Sequence, residues 1–398
     1  MPRIFKRKIY ERLLKWKSKN GKTAILIEGA RRIGKTTLVE QFASNEYESH
    51  LIIDFNKASK QVKDLFNDIM DLDFLFLNLQ NLYKVELKVR KSVIVFDEVQ
   101  LCPMARRAIK HLVADGRYDY IETGSLISIK RNVGDIIIPS EEEKVAMHPM
   151  DFEEFLYANG MNEFVVSTLR NKFNHLEELD ESLHNKMMDL FKKYLLVGGL
   201  PDAVNTYLSE KNIVSVRNIQ AEIHEYYASD ASKYSLENKL KISRIYDLIP
   251  SNMENKKKRV VVKNIEGKRG KTFNDYQEEF EYLVSAGIAL NVQAISNPKF
   301  PLIESASKNL IKLYLNDVGI LTGILYGNNI NAILDDQKSI NLGSVYETIV
   351  ASELKAHGKK LYYYDNRNKG EVDFLIDDYD SLSVVPIEVK SGKDYTVH

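Results

Sequence analysis

The sequence of 398 residues contains one cysteine, Cys102. A single thiol excludes an intramolecular disulfide and a cysteine-rich zinc site within this chain. No stretch approaches the roughly 18 apolar residues of a membrane-spanning helix, and the basic N-terminus is not followed by the apolar run of a secretion signal. We therefore expect a soluble protein of the reducing cytoplasm, without membrane contact.

Net charge is also absent. Lys and Arg together number 56, and Asp and Glu together number 56. A chain with zero formal charge has no overall field that draws it to nucleic acid or to a membrane, so either contact would need a local patch. The hydrophobic fraction of 44% and the charged fraction of 28% are typical of a globular protein. The length allows about two to four domains.

A glycine-rich loop lies between an apolar segment and a helical segment. Residues 29–36 fit the phosphate-loop pattern G-x-x-x-x-G-K-[ST] without a mismatch, and residues 23–28 before them predict a buried strand. Glycines let successive backbone N–H groups turn toward phosphates, and the N-terminus of the following helix adds positive charge. We expect Lys35 to reach the β- and γ-phosphates and Thr36 to hold Mg²⁺. The predicted nucleotide-binding residues are Gly29, Arg32, Ile33, Gly34, Lys35, Thr36 and Thr37.

Two carboxylates end the next apolar strand. Residues 93–96 are Val-Ile-Val-Phe, and Asp97 and Glu98 follow them. A carboxylate at the carboxyl end of a parallel strand lies beside the nucleotide crevice of an open α/β sheet. We expect Asp97 to orient Mg²⁺ and Glu98 to polarise the attacking water, so that Lys35, Asp97 and Glu98 are the predicted catalytic residues.

A third predicted strand, residues 118–123, runs into a Gly-Ser turn. A hydroxyl at its tip, Thr123 or Ser125, could sense the γ-phosphate, although a plain turn explains the same residues equally well. Arg131 is a candidate arginine finger by position only. No Asn-Lys-x-Asp segment of the guanine-binding type occurs, which favours ATP over GTP.

The middle of the chain is helical in pattern and then basic. Residues 252–271 contain eight basic and two acidic residues, and a predicted helix and strand follow them. This order is compatible with a winged-helix module that binds nucleic acid, and a solvated linker explains it equally well. The basic residues are Lys256, Lys257, Lys258, Arg259, Lys263, Lys268, Arg269 and Lys271.

A set of carboxylates marks the C-terminal region. Glu347 lies in a predicted helix, whereas Asp373 and Glu388 begin or end apolar strands, and Lys390 follows two residues after Glu388. Carboxylates that converge on one sheet face need a partner or a metal, and hard oxygen ligands suit Mg²⁺ or Mn²⁺. Such a site could cleave a phosphodiester. The alternative is a surface ladder of Glu and Lys side chains.

Four segments occur in the order found in one family: residues 28–38, residues 194–204, residues 313–320, and residues 370–376 with 386–392. The chain resembles the bacterial and archaeal AAA-type ATPases whose C-terminal domain of unknown function is similar to PD-(D/E)XK nucleases. The resemblance implies an α/β fold: an ASCE-type P-loop core with a parallel sheet, a winged-helix-like middle and a small restriction-nuclease-like end. It places Glu347, Asp373, Glu388 and Lys390 on the nuclease residues. The implied domains are 1–150 for the core, 151–245 for a helical lid, 246–325 for the winged-helix-like region and 326–398 for a nuclease-like domain, either whole or truncated.

Three functions follow from these features. The leading one is a Mg²⁺-dependent ATP hydrolase whose nucleotide cycle controls a nucleic-acid-directed C-terminal domain with its own Mg²⁺ or Mn²⁺. The second is a signalling switch in which ATP sets a homo-oligomeric state or the binding of a protein partner, without cleavage of nucleic acid. In the third, the carboxylate set is a relic that neither cuts nor binds metal.

Overall fold

The computed structural model describes residues 3–124, 141–229, 236–254, 258–267, 270–334 and 342–390. Ser125 and Arg131, the sensor and arginine-finger candidates, lie outside these residues. The chain forms two compact units, Met1–His148 and Pro149–His398. None of the described helices is long and apolar enough to cross a membrane.

A five-stranded parallel sheet forms the centre of the first unit. Its order is β2-β3-β4-β1-β5, and every neighbouring pair is parallel. The strands predicted at 23–28, 50–55, 93–96 and 118–123 are confirmed, whereas β5 was not predicted because its charged Glu-Glu-Lys start has low strand propensity. The strands are β1 (Ala24–Glu28), β2 (Ser49–Asp54), β3 (Ser92–Asp97), β4 (Asp119–Gly124) and β5 (Glu142–Ala146).

Three aromatic side chains pack beneath the carboxyl end of β3. Phe55, Phe66 and Phe96 are each buried, and their ring centroids lie 5.5–5.8 Å apart. This packing fixes the strand end immediately before Asp97. The helices of this unit are α1 (Ile9–Lys17), α2 (Lys35–Glu46), α3 (Lys60–Asp64), α4 (Leu72–Tyr83) and α5 (Pro103–Asp115), and a 3₁₀ turn spans Val99–Leu101.

The second unit begins with helices, as the sequence predicts from residue 151 onward. Asp151 starts the first of them through a capping box with Glu154. The predicted interruption at Gly198 and Gly199 is confirmed, and Pro201 occupies the first turn of the next helix. These helices are α6 (Phe152–Ala158), α7 (Glu163–Asn174), α8 (Glu181–Val197), α9 (Pro201–Glu210), α10 (Ile213–Ser229) and α11 (Leu236–Glu254).

A second sheet follows, in the order β10-β9-β8-β6-β7. Strands β6 and β8 are parallel, and the other neighbouring pairs are antiparallel. The strands are β6 (Ala289–Ile295), β7 (Ala306–Leu315), β8 (Tyr362–Asn366), β9 (Gly370–Asp378) and β10 (Ser383–Ile387). Its helices are α12 (Lys263–Glu266), α13 (Gln277–Ser285), α14 (Val318–Tyr326), α15 (Asn331–Leu334) and α16 (Gly343–Ala356), with 3₁₀ turns at Phe273–Tyr276 and Leu302–Ser305.

The second sheet joins two regions that the sequence assigned to different domains. β6 and β7 come from the region predicted to be winged-helix-like, and β8 to β10 come from the region predicted to be nuclease-like. β6 lies between β7 and β8, so it is an interior strand and not part of a free hairpin. The four-domain division stays a prediction, and a boundary at residue 326 would divide this sheet.

A buried carboxylate connects the glycine break to helix α14. Asp317 accepts hydrogen bonds from the backbone N–H groups of Gly199 at 2.7 Å and Ile320 at 3.1 Å. Gly198 has φ +72°, and a Cβ there would collide with the Asp317 carboxylate, so a side chain is excluded on both counts. Burial raises the pKa of Asp317 to about 6, although the backbone donors oppose the shift.

The raised pKa of Asp317 predicts a pH dependence of stability. The native state binds this proton more tightly than the unfolded chain, so the stabilising contribution is complete below the unfolded pKa near 4 and is lost as the pH rises through 6. We expect the contribution to the free energy of unfolding to fall by about 1 kcal/mol between pH 5 and pH 7. Urea-unfolding midpoints of the wild type and Asp317→Asn at both pH values test this. An equal pH change in both proteins would contradict it.

Candidate nucleotide site and C-terminal carboxylate cluster

The predicted phosphate loop joins β1 directly to α2. Arg32 and Gly34 adopt left-handed backbone conformations, with φ of 64° and 92°. Left-handed residues within a loop curl the backbone so that successive N–H groups turn to one side, as they do in an anion-binding nest. A Cβ at Gly29 would collide with the carbonyl oxygen of Met147 and with the Ile33 side chain. Gly29 therefore packs against the residue that follows β5, where a side chain would not fit.

Lys35 lies inside this loop. Its Nζ donates to the carbonyl oxygens of Gly29 at 3.0 Å and Ala30 at 2.7 Å, and the residue is only 6% exposed. The ammonium group is thus held close to its own backbone. Phosphate oxygens offer it stronger, charge-assisted bonds than these carbonyls do.

Asp97 is bonded to the hydroxyl groups of two other elements. Thr36, at the start of α2, donates to Oδ2 at 3.0 Å, and Thr123, on β4, donates to Oδ1. Burial raises the pKa of the Asp97 carboxyl, and the two hydroxyl donors oppose the rise. Threonine hydroxyl and carboxylate oxygens are the hard donors that Mg²⁺ prefers, so Thr36 and Asp97 fit this ion by their chemistry.

Glu98 is held beside Asp97 by two contacts. Its backbone is left-handed, with φ 55°, and its N–H donates to the Thr123 hydroxyl at 3.2 Å. Its carboxylate accepts a hydrogen bond from the Gln100 side-chain amide. A positive φ is uncommon outside glycine and is found at functional sites. Thr123, one of the two sensor candidates, therefore contacts both carboxylate residues.

The deepest member of the C-terminal set is Glu347 on α16. It is 2% exposed, and both of its carboxylate oxygens are bonded. Tyr314 on β7 donates its hydroxyl to Oε2 at 2.9 Å, and Lys258 Nζ forms an ion pair with Oε1. A buried carboxylate is costly unless it is paired in this way.

Asp373 on β9 lies in the same electrostatic environment. Burial raises the pKa of its carboxyl, the backbone N–H of Val389 lowers it through a 2.9 Å hydrogen bond, and the carboxylates of Glu347 and Glu388 raise it further. Lys312 on β7 is 6% exposed; burial lowers the pKa of its ammonium group, and Glu347 and Asp373 oppose this change. The cluster thus contains a buried lysine that the sequence did not predict.

Glu388 and Lys390 lie at the exposed edge of this cluster. Lys390 Nζ contacts Glu388 Oε1 at 2.6 Å, and the two side chains are 64% and 42% exposed, respectively. This pair has the form of the surface Glu-Lys ladder that was the alternative interpretation. Its membership of a metal site stays a prediction.

Three residues of the predicted basic patch are paired with acidic groups of the same chain. Besides the Lys258 ion pair, Arg259 contacts Asp365 at 2.7 Å and Lys271 contacts Asp275 at 3.1 Å. Lys256, Lys257, Lys268 and Arg269 lie outside the described residues. The described part of the stretch is therefore less positive than its composition indicates.

A family model described as an AAA domain matches residues 21–156. This range contains the phosphate loop, Asp97, Glu98 and Thr123. The chain therefore contains an AAA-like P-loop ATPase domain. Two further models, both described as domains of unknown function (DUF8612 and DUF4143), match residues 188–330 and 342–398.

One curated relative and several solved structures are similar to the chain. An uncharacterized protein of Methanocaldococcus jannaschii is 26% identical over 204 residues, which are 49% of this chain and 41% of that protein. The match therefore covers less than half of the relative's length.

The solved structures include the Thermotoga maritima RuvB Holliday junction branch migration motor, with 15% identity, 72% of this chain and 89% of that chain covered, and a TM-score of 0.30. Cdc6p from Pyrobaculum aerophilum is 11% identical, with 85% and 97% covered and a TM-score of 0.27. TM-scores at this level do not establish a shared fold.

Two side chains that support the AAA domain were not predicted from the sequence. Arg7 is buried and donates to the carbonyl oxygens of Ile33 at 2.9 Å and His148 at 2.6 Å. It therefore stabilises the phosphate loop, although it precedes the residues that the AAA family model matches. Gln100, two residues after Glu98, is 2% exposed and holds the Glu98 carboxylate. The only signal for Gln100 was its closeness in sequence to Glu98, and Arg7 had no local signal.

Proposed function

We propose that this protein is a Mg²⁺-dependent ATP hydrolase whose nucleotide cycle controls a nucleic-acid-directed C-terminal region. The observation that carries the proposal is the position of Asp97, which bonds the Thr36 hydroxyl at the loop and the Thr123 hydroxyl on β4. The Asp97 carboxylate thus connects the phosphate loop, through Thr36, to the candidate sensor hydroxyl of Thr123. The strand order, with β4 between β1 and β3, supports the ASCE-type assignment.

Each residue of the nucleotide site has a defined part in this proposal. Lys35 and the loop N–H groups bind the β- and γ-phosphates, and Thr36 and Asp97 hold Mg²⁺, which offsets the negative charge of the phosphate oxygens. Water attacks the γ-phosphorus, the bond to the bridging oxygen breaks, and ADP and phosphate leave. Glu98 accepts the proton of the attacking water. Gln100 and Thr123 hold Glu98 in place.

The C-terminal part of the proposal depends on the carboxylates around β9. Glu347 on α16 and Glu388, which follows β10, both lie close enough to Asp373 on β9 to raise the pKa of its carboxyl. Carboxylate oxygens in such a group suit Mg²⁺ or Mn²⁺, and we propose phosphodiester cleavage as the chemistry of this second site.

A second candidate function is a regulatory switch that binds a protein partner or a second copy. The observation that favours it is the pairing of Glu347 with Lys258 and Tyr314, which satisfies this carboxylate without a metal. In this proposal the C-terminal region only binds, and ATP sets the assembly state.

One experiment separates the two candidates. We expect the steady-state ATPase rate with Mg²⁺ to rise several-fold on addition of duplex or single-stranded DNA, and the rise to shrink between 50 and 200 mM salt, because phosphate contacts release counterions. Measurement of the particle mass with and without ATP gives the control. A slow rate that DNA does not change, together with growth of an oligomer in ATP, would favour the switch.

A further inference from the structure

Three consecutive residues tie the start of the basic stretch to the C-terminal sheet region. Lys258 pairs with Glu347 on α16, and Arg259 Nη2 contacts Asp365 Oδ2 on β8 at 2.7 Å. The backbone N–H of Val260 donates to the Ile311 carbonyl oxygen on β7 at 3.3 Å. Residues 258–260, here called the strap, are therefore bonded to a helix and to two strands of the same unit.

The strap places its ammonium group on the deepest carboxylate of the proposed metal site. Glu347 is 2% exposed, whereas the Lys258 side chain is 21% exposed. Tyr314 holds the other carboxylate oxygen of Glu347 at 2.9 Å. Lys258 is therefore more accessible to solvent than Glu347. A cation that arrives from solvent reaches the Lys258 ammonium before it reaches the Glu347 carboxylate.

Most of the negative charge of the cluster is already offset with the strap in place. Three ammonium groups oppose four carboxylates. In a partly buried site, an added double positive charge is unfavourable next to ammonium groups that remain, since the effective dielectric constant is low. The electrostatic cost of binding the divalent cation is lower when the ammonium group of one lysine moves away from the site. The ammonium groups are those of Lys258, Lys312 and Lys390, and the carboxylates are those of Glu347, Glu371, Asp373 and Glu388.

We propose that the Lys258 ammonium is an internal counter-cation that competes with a divalent cation for Glu347, so that the docked strap keeps the C-terminal site closed to metal. This inference rests on the metal site of the proposed function and adds its regulation. A site that is competent only while the Lys258 ammonium is away from Glu347 has an apparent affinity reduced by the fraction of molecules in that state. If that fraction is about one in ten, removal of the ammonium raises the affinity about tenfold.

The test measures Mn²⁺ binding to the full chain without nucleotide, by the loss of the free-ion electron paramagnetic resonance signal. We expect Lys258→Met to bind Mn²⁺ about tenfold more tightly than the wild type. Lys258→Arg, which keeps the charge, should bind as weakly as the wild type. Lys263→Met removes an exposed positive charge five residues along the same stretch and should also leave binding unchanged. Thermal melting shows whether each variant is folded.

Asp373→Asn in the Lys258→Met background assigns the bound ion to this cluster and not to the phosphate loop. Loss of the gained affinity in that double variant would support the proposal. Equal Mn²⁺ binding by the wild type and Lys258→Met would overturn the competition while the metal site stands. Absence of Asp373-dependent binding in every variant would overturn both the competition and the metal site, whereas the ATPase proposal is judged by turnover alone. If Lys258→Met does not fold, Lys258→Gln replaces it with a polar neutral side chain.

Discussion

Replacement of Glu98 by Gln is expected to lower the ATP turnover rate by about 10²–10⁴-fold while leaving nucleotide affinity within a few-fold of the wild type. The amide keeps the size of the side chain and its place next to Gln100, but it cannot accept the proton of the attacking water. The loss therefore falls on the transition state and not on binding. Stopped-flow binding of a fluorescent ATP analogue and steady-state phosphate release measure the two quantities separately.

The matched control is Glu48→Gln, the same chemical change on the surface of the first unit. Glu48 is about half exposed and pairs with Lys88 and Lys91. An exposed ion pair of this kind contributes little, so we expect turnover close to that of the wild type. Full turnover by Glu98→Gln would show that another group accepts the proton, and Asp97 would then be the next residue to test.

Replacement of Lys35 by Ala is expected to weaken ATP binding by about 100-fold, which corresponds to about 2.7 kcal/mol. The Lys35 ammonium is buried in the loop, so its bonds to phosphate are poorly screened by water. Loss of one partner from a buried, hydrogen-bonded charge pair costs about 2–5 kcal/mol. Isothermal titration with a slowly hydrolysed ATP analogue measures this change in affinity.

Lys57→Ala is the control for the loss of a positive charge in the same unit. Its side chain is 83% exposed and pairs with Asp54 at 2.9 Å, so we expect ATP affinity to stay within about twofold of the wild type. A Lys35→Ala protein that folds and binds ATP as tightly as the wild type would remove Lys35 from the phosphate site. The pair of variants at Lys35 and Glu98 thus separates binding from chemistry.

The nucleotide site was predictable because its signals are local. The glycine loop, the strand before it and the helix after it are contiguous, so the residues that make the cradle are also neighbours in sequence. Asp97 and Thr123 were each predicted from the end of a buried strand. That Asp97 bonds the Thr123 hydroxyl depends on β3 and β4 being neighbours in the sheet, which the sequence did not predict.

The C-terminal cluster was predictable only in part. Glu347, Asp373 and Glu388 were predicted, but Tyr314 and Lys312 were missed. These two residues are two positions apart on β7 and therefore point to the same face of the sheet. That alternation was visible in the sequence. The sequence did not show that these two residues belong to the cluster, because that depends on where β7 lies in the second sheet.

The sequence by itself determined the phosphate-loop pattern, the strand before it and the helix after it, and the residue types available for catalysis. These depend on short-range patterns of glycine, apolar and charged residues. Only the tertiary structure decided which distant charges neutralise one another. Lys258 and Glu347 are 89 residues apart in sequence, and Arg7 is 141 residues from its acceptor at His148. No local pattern specifies such pairs, because the packing of whole elements brings them together.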